Sequence, residues 1–298
     1  MKKMLFIMAM LVAMAVMFAS CDKDKNSGTL KLSITDAPID SDGITGVFIT
    51  VTEIQYHLNR GENDWQVFEE FEGPKLINLL DLTHGETSLL GNLELEAGTY
   101  TQIRFILDAP VYGMGTPSNP GCYLEFEGGA IEPLFVPSGS ESGFKGVGAF
   151  TVPLNGVVEV TADFDVRKSV VHAGASGMYI LKPKIRLVVN EQAGKIVGSV
   201  INIPVDSQIA IYAYAQGTYS DDEALDPAAE TPRFPNAISS DVVGVSGSYH
   251  IDFLAPITYD LIVAKAIGGE FSVVLGIVDG VVVESKDTTT VNINIDEL

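Results

Sequence analysis

The 298-residue chain predicts an all-β protein: two antiparallel β-sandwiches of Greek-key type behind an export leader. Three observations carry this reading. Apolar residues recur at every second position through most of the chain, turn residues separate these runs at short intervals, and helical periodicity is nearly absent. Short strands in that arrangement bury one face each, and the stable way to do so is sheet on sheet.

In chain order the first element is the leader. Met1-Lys2-Lys3 precedes fifteen apolar residues, Met4 to Phe18, and then Ala19-Ser20-Cys21. The apolar run is shorter than the roughly 20 residues of a membrane-spanning helix, and the basic start and small residues before a cysteine are signal-peptide grammar. Ala19-Ser20-Cys21 resembles the lipobox of bacterial lipoproteins, with Phe18 standing where Leu is usual. That resemblance implies cleavage after residue 20 and lipidation of Cys21, so that acyl chains tie the protein to a membrane. Ordinary cleavage nearer Ala13-Met14-Ala15 is the alternative, and it would release a soluble protein. Residues 21–28 read as a polar tether without packed structure.

Leu30, Leu32 and Ile34 alternate with Lys31, Ser33 and Thr35, a half-buried strand. A turn rich in Asp, Pro and Gly runs from Asp36 to Gly43, after which Val47, Ile49 and Val51 repeat the pattern. Further strands are expected at Trp65–Phe71, Thr99–Leu107, Cys122–Glu127, Ala130–Val136, Val147–Val152, Val157–Val166 and Met178–Val189. Thr87–Leu93 and Arg167–Ala173 read as helical turns. The first sandwich is placed at 29–190. The second, at 194–298, begins with a strand at Lys195 and continues through strands at Ile209–Tyr214, Tyr249–Phe253, Tyr259–Val263, Phe271–Ile277 and Val291–Ile295. Between them Gln216–Asn236, acidic and proline-containing, reads as a disordered insert.

Without the leader the chain has 16 basic and 39 acidic residues, a net charge of −23. Nucleic acid is thereby excluded as a partner, because its binding depends on neutralising phosphates with basic side chains. The acids are spread along the chain and read as solvated strand faces. Cys122 is the one cysteine after Cys21, so the mature chain has no internal disulfide, and its strand-like surroundings make it a core residue.

Two family resemblances rest on longer motifs. Residues 28–190 resemble domain-of-unknown-function family 4382 of bacterial envelope lipoproteins, through Leu32-Ser33-Ile34-Thr35-Asp36-Ala37-Pro38, Ala97-Gly98-Thr99-Tyr100-Thr101-Gln102-Ile103-Arg104, Val136-Pro137-Ser138-Gly139, Asp163-Phe164-Asp165 and Leu181-Lys182-Pro183. The family implies no activity. The second unit is similar to the carboxypeptidase-regulatory or transthyretin-like sandwich, of immunoglobulin-like build, through Gly194-Lys195-Ile196-Val197-Gly198-Ser199-Val200, Gly247-Ser248-Tyr249-His250-Ile251 and Tyr259-Asp260-Leu261-Ile262-Val263. That likeness implies a spacer or stabilising module.

No residue set reads as catalytic. His57, His84, His172 and His250 lack the spacing of a zinc site, and Ser138, Ser140 and Ser142 lie in a loop that is no nucleophile elbow. Asp163 and Asp165, two apart on one strand, share a polar face at roughly 6–7 Å, a spacing that would suit a glycosidase pair. No apolar pocket or basic partner is evident to split their pKa values, as acid–base work requires. Asp36, Asp40 and Asp42 offer oxygens for calcium, the one cofactor the sequence allows, while plain turn chemistry explains the same aspartates. Trp65, Tyr112, Tyr219 and Phe234 are either aromatics capping the core or a surface for saccharide.

The sequence therefore points to a non-enzymatic lipoprotein, anchored to the cell envelope, at the outer membrane, and engaged in surface binding, adhesion or assembly with a protein or glycan partner. The alternatives are a glycan-binding module, a pilus-like subunit and, behind these, an enzyme acting on polysaccharide or peptide. In the pilus-like version Val291, Ile293 and Ile295 form a donated strand and Arg60 is a processing site. Otherwise that strand pairs within its own domain.

Overall fold

Alternating apolar residues do what their period dictates, and strands dominate the computed structural model. It describes residues 26–37, 43–57, 65–111, 120–136, 143–173, 177–228 and 231–298. Cys21, Asp40, Asp42, Arg60, Tyr112, Ser138, Ser140 and the leader lie outside the described residues. The first unit contains β1 (Ser27–Ala37), β2 (Ile44–His57), β3 (Trp65–Val67), β4 (Lys75–Asn78), β5 (Ser88–Glu96), β6 (Gly98–Leu107), β7 (Tyr123–Phe126), β8 (Ile131–Phe135), β9 (Phe144–Val152), β10 (Val157–Asp165), β11 (Val170–Ala173), β12 (Met178–Leu181) and β13 (Ile185–Val189). The second contains β14 (Gly194–Ile201), β15 (Gln208–Ala215), β16 (Ser239–Val242), β17 (Ser248–Leu254), β18 (Thr258–Ile267), β19 (Glu270–Val282), β20 (Thr288–Thr290) and β21 (Ile293–Asn294).

The strands of the first unit join in one 13-stranded sheet, ordered β11-β12-β8-β7-β2-β6-β9-β13-β10-β1-β5, with β3 and β4 added to β2. Its apolar face encloses a single core that includes Leu32, Val47, Phe105, Leu124, Phe150 and Phe164. β2 makes the corner: its first half pairs with β7 and β4, its second half with β6 and β3, and its register with β6 shifts between Val51 and Glu53. Strands that pass between layers bend at such irregularities. Pairing is mostly antiparallel, but β1–β10, β8–β12 and β9–β13 are parallel.

The second unit is a sandwich of two 4-stranded sheets, β17-β14-β20 with β21 beside β14, and β16-β15-β18-β19. Ile196, Tyr249 and Ile251 of one sheet meet Ile211, Leu261 and Val263 of the other. β21 pairs with β14 and buries Ile293 in this core, so the C-terminal strand serves its own sandwich. Cys122 is buried, and burial pushes its thiol up to about 12.

Three expectations are corrected. Thr87–Leu93 is not a helical turn but most of β5, paired with β1. The expected long strand at Met178–Val189 breaks after Leu181, where Pro183 lacks an N–H for the ladder. The segment 216–236, expected to be disordered, is ordered in its described residues and lies on the outer face of the second sandwich. Phe234 is completely buried there, 4.3 Å from the Tyr212 ring and 5.6 Å from that of Phe271. Glu223 accepts from the Tyr214 hydroxyl at 2.8 Å and from the Asn236 backbone at 3.1 Å, and Arg233 donates to the carbonyls of Ala224 and Leu225. One aromatic anchor and two polar ties outweigh the disorder that the composition suggested.

Phe234→Ala should cost about 3–5 kcal/mol of stability and open this segment to protease, measured by urea denaturation and by mapping cleavage between residues 216 and 236.

Candidate functional site

β10 is buried on both sides, and this creates the site. Val160, Ala162 and Phe164 face the core of the first unit, while Thr161, Asp163 and Asp165 point the other way and are also buried, the two acids at 4% and 9% exposure. The polar face expected in solvent is instead covered by the second sandwich. Asp163 lines a narrow crevice with Ser239, Ser240, His250 and Asp252.

Register supplies the counter-charges. Asp163 is the cross-strand partner of Arg186 on β13, whose Nε donates to Asp163 Oδ2 at 2.7 Å and whose Nη2 lies at 2.5 Å. Burial pushes the Asp163 carboxyl up and the Arg186 charge works against that shift. Asp165 caps the short helix Val166–Ser169 by accepting from the Lys168 backbone at 3.1 Å, and the Lys168 ammonium lies 3.0 Å from its carboxylate. The acid pair thus has two basic partners, Lys168 from three residues further along and Arg186 from the next strand. A cleft of about 240 Å³ beside it is lined by both acids, Lys168, Lys184, Arg186, Ile185 and Ile238.

The same helix fastens the second unit. Arg167, almost entirely buried, donates from Nη1 to the carbonyls of Arg233 and Phe234 at 2.8 and 3.0 Å, and its guanidinium stands 5.4 Å from the Tyr212 ring. Lys168 donates to the Ala237 carbonyl. Asp36 Oδ1, at the end of β1, accepts from the Val166 N–H at 3.0 Å. Of the three aspartates proposed for calcium, Asp36 therefore serves this helix, and Asp40 and Asp42 lie outside the described residues. Among the described residues no group of three or more His, Cys, Asp or Glu side chains is arranged to hold a metal ion.

A second patch of titratable groups joins the units. The turn after β4 carries His84 and Gly85 in the left-handed region, at φ 60° and 81°. His84 Nε2 reaches Asp241 Oδ1 of β16 at 3.4 Å, and its ring meets His250 edge-on at 5.9 Å. A Cβ on Gly85 would stand 2.7 Å from the Asp252 carboxyl, so only glycine allows this approach. Asp241 is fully buried and accepts backbone N–H bonds from Val242 and His250 at 2.9 and 2.7 Å. Burial pushes its carboxyl up to about 7, against the pull of those two bonds. Burial also raises Asp252, which Lys195 faces at 4.0 Å.

Of the residues singled out in the sequence, Asp163, Asp165 and Asp36 come together and Trp65 does not join them. His84 and His250, set aside as zinc ligands, meet at 5.9 Å, and Arg186, Arg167, Lys168, Asp241 and Asp252 were missed. One signal was available: Lys182, Lys184 and Arg186 alternate with period two, as Asp163 and Asp165 do, and opposite charges with one period on two strands can pair across a sheet.

The model of the family described as Domain of unknown function (DUF4382) matches residues 27–183, more than half of the chain. No curated protein matches the sequence. Among solved structures, the Bacillus anthracis TIE protein matches at 10% identity and TM-score 0.22, over 90% of this chain and 34% of that one, so the chain spans about a third of its length. GBS52, the minor pilin of Streptococcus agalactiae, matches at 13% identity and TM-score 0.21, over 89% of this chain and 94% of that one. The shaft pilin SpaA from Lactobacillus rhamnosus GG matches at 10% identity and TM-score 0.21, over 89% and 97%. TM-scores this low carry no structural argument, and the fold stands on its own strand pairings.

Because burial raises Asp241 and Asp252, the folded chain holds protons that the unfolded chain releases. Stability should therefore fall as pH rises from the ordinary carboxylate range to about 7, then level off. The loss between pH 5 and pH 8 should be on the order of 1–3 kcal/mol, and urea denaturation of Asp241→Asn should show a flatter pH profile than the unaltered protein.

Proposed function

The chain belongs to the DUF4382 family, and from that premise we propose that it is a non-enzymatic β-sandwich protein of the cell envelope, exported, lipid-anchored through Cys21, and acting by binding. One observation carries the non-enzymatic part. The acid pair that the sequence allowed as catalytic is held by Arg186 and Lys168 and covered by the second sandwich. Two carboxylates that divide acid and base roles face each other across room for a substrate, in environments that set their pKa values apart. Here each acid is neutralised by a cation of its own unit, and the helix that carries Arg167 and Lys168 fastens the second sandwich over them, which is the chemistry of assembly.

Export and anchoring rest on the sequence from Lys2 to Cys21, and the stretch between Cys21 and the start of β1 at Ser27 would tether the sandwiches to the bilayer. Among the described residues no helix is long and apolar enough to cross a membrane. The second unit, on this reading, is a transthyretin-like spacer fused rigidly to the family domain. A pilus-like version by donation of the C-terminal strand would require Ile293 to leave the core it now fills, so binding is favoured over strand exchange.

Replacing Cys21 with Ala should move the protein from the membrane fraction to the soluble fraction while its circular dichroism stays unchanged. Incorporation of radiolabelled fatty acid should be lost in the same variant, and retention in the membrane fraction would contradict the anchor.

A further inference from the structure

Arg104 on β6 and Lys145 on β9 are direct cross-strand partners. Like charges placed opposite each other destabilise a sheet, and a chain with 39 acidic and 18 basic residues has carboxylates to spare as a remedy. Among the described residues neither cation has one. Arg104 donates from Nη1 to Gln55 Oε1 at 3.2 Å, its Nε is buried without a hydrogen-bond partner, and Lys145 is exposed. Glu53 is occupied by the Gln55 amide nitrogen. Both cations instead gather on the single tryptophan of the chain, Arg104 Cζ 3.8 Å and Lys145 Nζ 5.6 Å from the Trp65 ring centroid. His57, paired with Trp65 across β2 and β3, packs against the same indole at 5.2 Å.

Cation–π contact with Trp65 offsets part of the repulsion, and a local arrangement that breaks a stability rule is expected at functional places. We propose that Trp65, Arg104 and Lys145 form a binding site for the carboxylate of an acidic saccharide. The planar guanidinium, held against the indole, presents a fork that matches a carboxylate, and the Lys145 ammonium adds a second charge beside it. Gln102, two residues from Arg104 on β6, lies on the same sheet face and offers an amide for the hydroxyl groups of a sugar ring. Dense polyanions are disfavoured by the net charge of −21, whereas one carboxylate per ring asks for only the two cations present. This inference deepens the reading of the protein as a binder and does not depend on its anchor.

Trp65 is its own reporter. Titrating the full-length protein with a short oligogalacturonate should shift or quench the tryptophan emission saturably. Arg104→Gln and Lys145→Gln should each weaken binding about tenfold or more, and the methyl-esterified oligomer should not bind. Lys145→Gln should melt no lower than the unaltered protein, because it removes a like-charge pair. An unchanged emission, equal binding of the esterified oligomer or of either variant, or an equal response to inorganic phosphate would overturn the site. Membrane fractionation of the Cys21 variant is unaffected by any of these results, so failure of the site and failure of the anchor are read separately.

Discussion

The burial of Asp163 and Asp165 on the outward face of β10 is the constraint from which the rest of the architecture follows. A carboxylate removed from water is costly unless a cation and hydrogen bonds replace the solvent, and breaking such a pair costs several kcal/mol because one charge is left alone. Arg186 answers Asp163 from the next strand, and the helix Val166–Ser169 answers Asp165 with its N-terminus and with Lys168. That helix begins directly after β10, which places Arg167 and Lys168 where they reach carbonyls of the segment 233–237. The second sandwich is thus seated on the charges that its presence buries.

Much of the fold was legible because a sheet with one dry face leaves a period-two record. β1, β2, β6 and β10 were readable at Leu30–Ile34, Val47–Val51, Thr99–Leu107 and Val157–Val166. β5 was not, for a local reason. Its register against β1 jumps from Gly91 to Leu89, leaving Leu90 unpaired, so the buried residues fall at 90, 93 and 95. A bulge that inserts one residue turns a spacing of two into a spacing of three, and the run then imitates a helix face. In the segment 216–236 the acids and prolines dominate the composition, while its order rests on Phe234 and on the ties of Glu223 and Arg233.

The joint and the saccharide site were harder to see, because their partners are far apart in the chain. Asp163 and Asp165 were visible as a pair, yet Arg186 becomes their neighbour only through the β10–β13 register. His84 and Asp241 meet from different sandwiches, with no local pattern to announce it. Arg104 and Lys145 are 41 residues apart in the chain and meet only because β6 and β9 set them side by side. Trp65 was readable as a core cap or a surface for saccharide, and the structure surrounds it with cations, which favours an anionic ligand.

The central claim is that buried charge makes the two sandwiches one cooperative body. Differential scanning calorimetry of the full-length protein tests it most directly. A single transition is expected in which both sandwiches melt together, splitting into two when Arg167 is replaced by Ala, because the bonds to Arg233 and Phe234 are lost. Two separate transitions in the unaltered protein, or a single transition unmoved by that replacement, would contradict it.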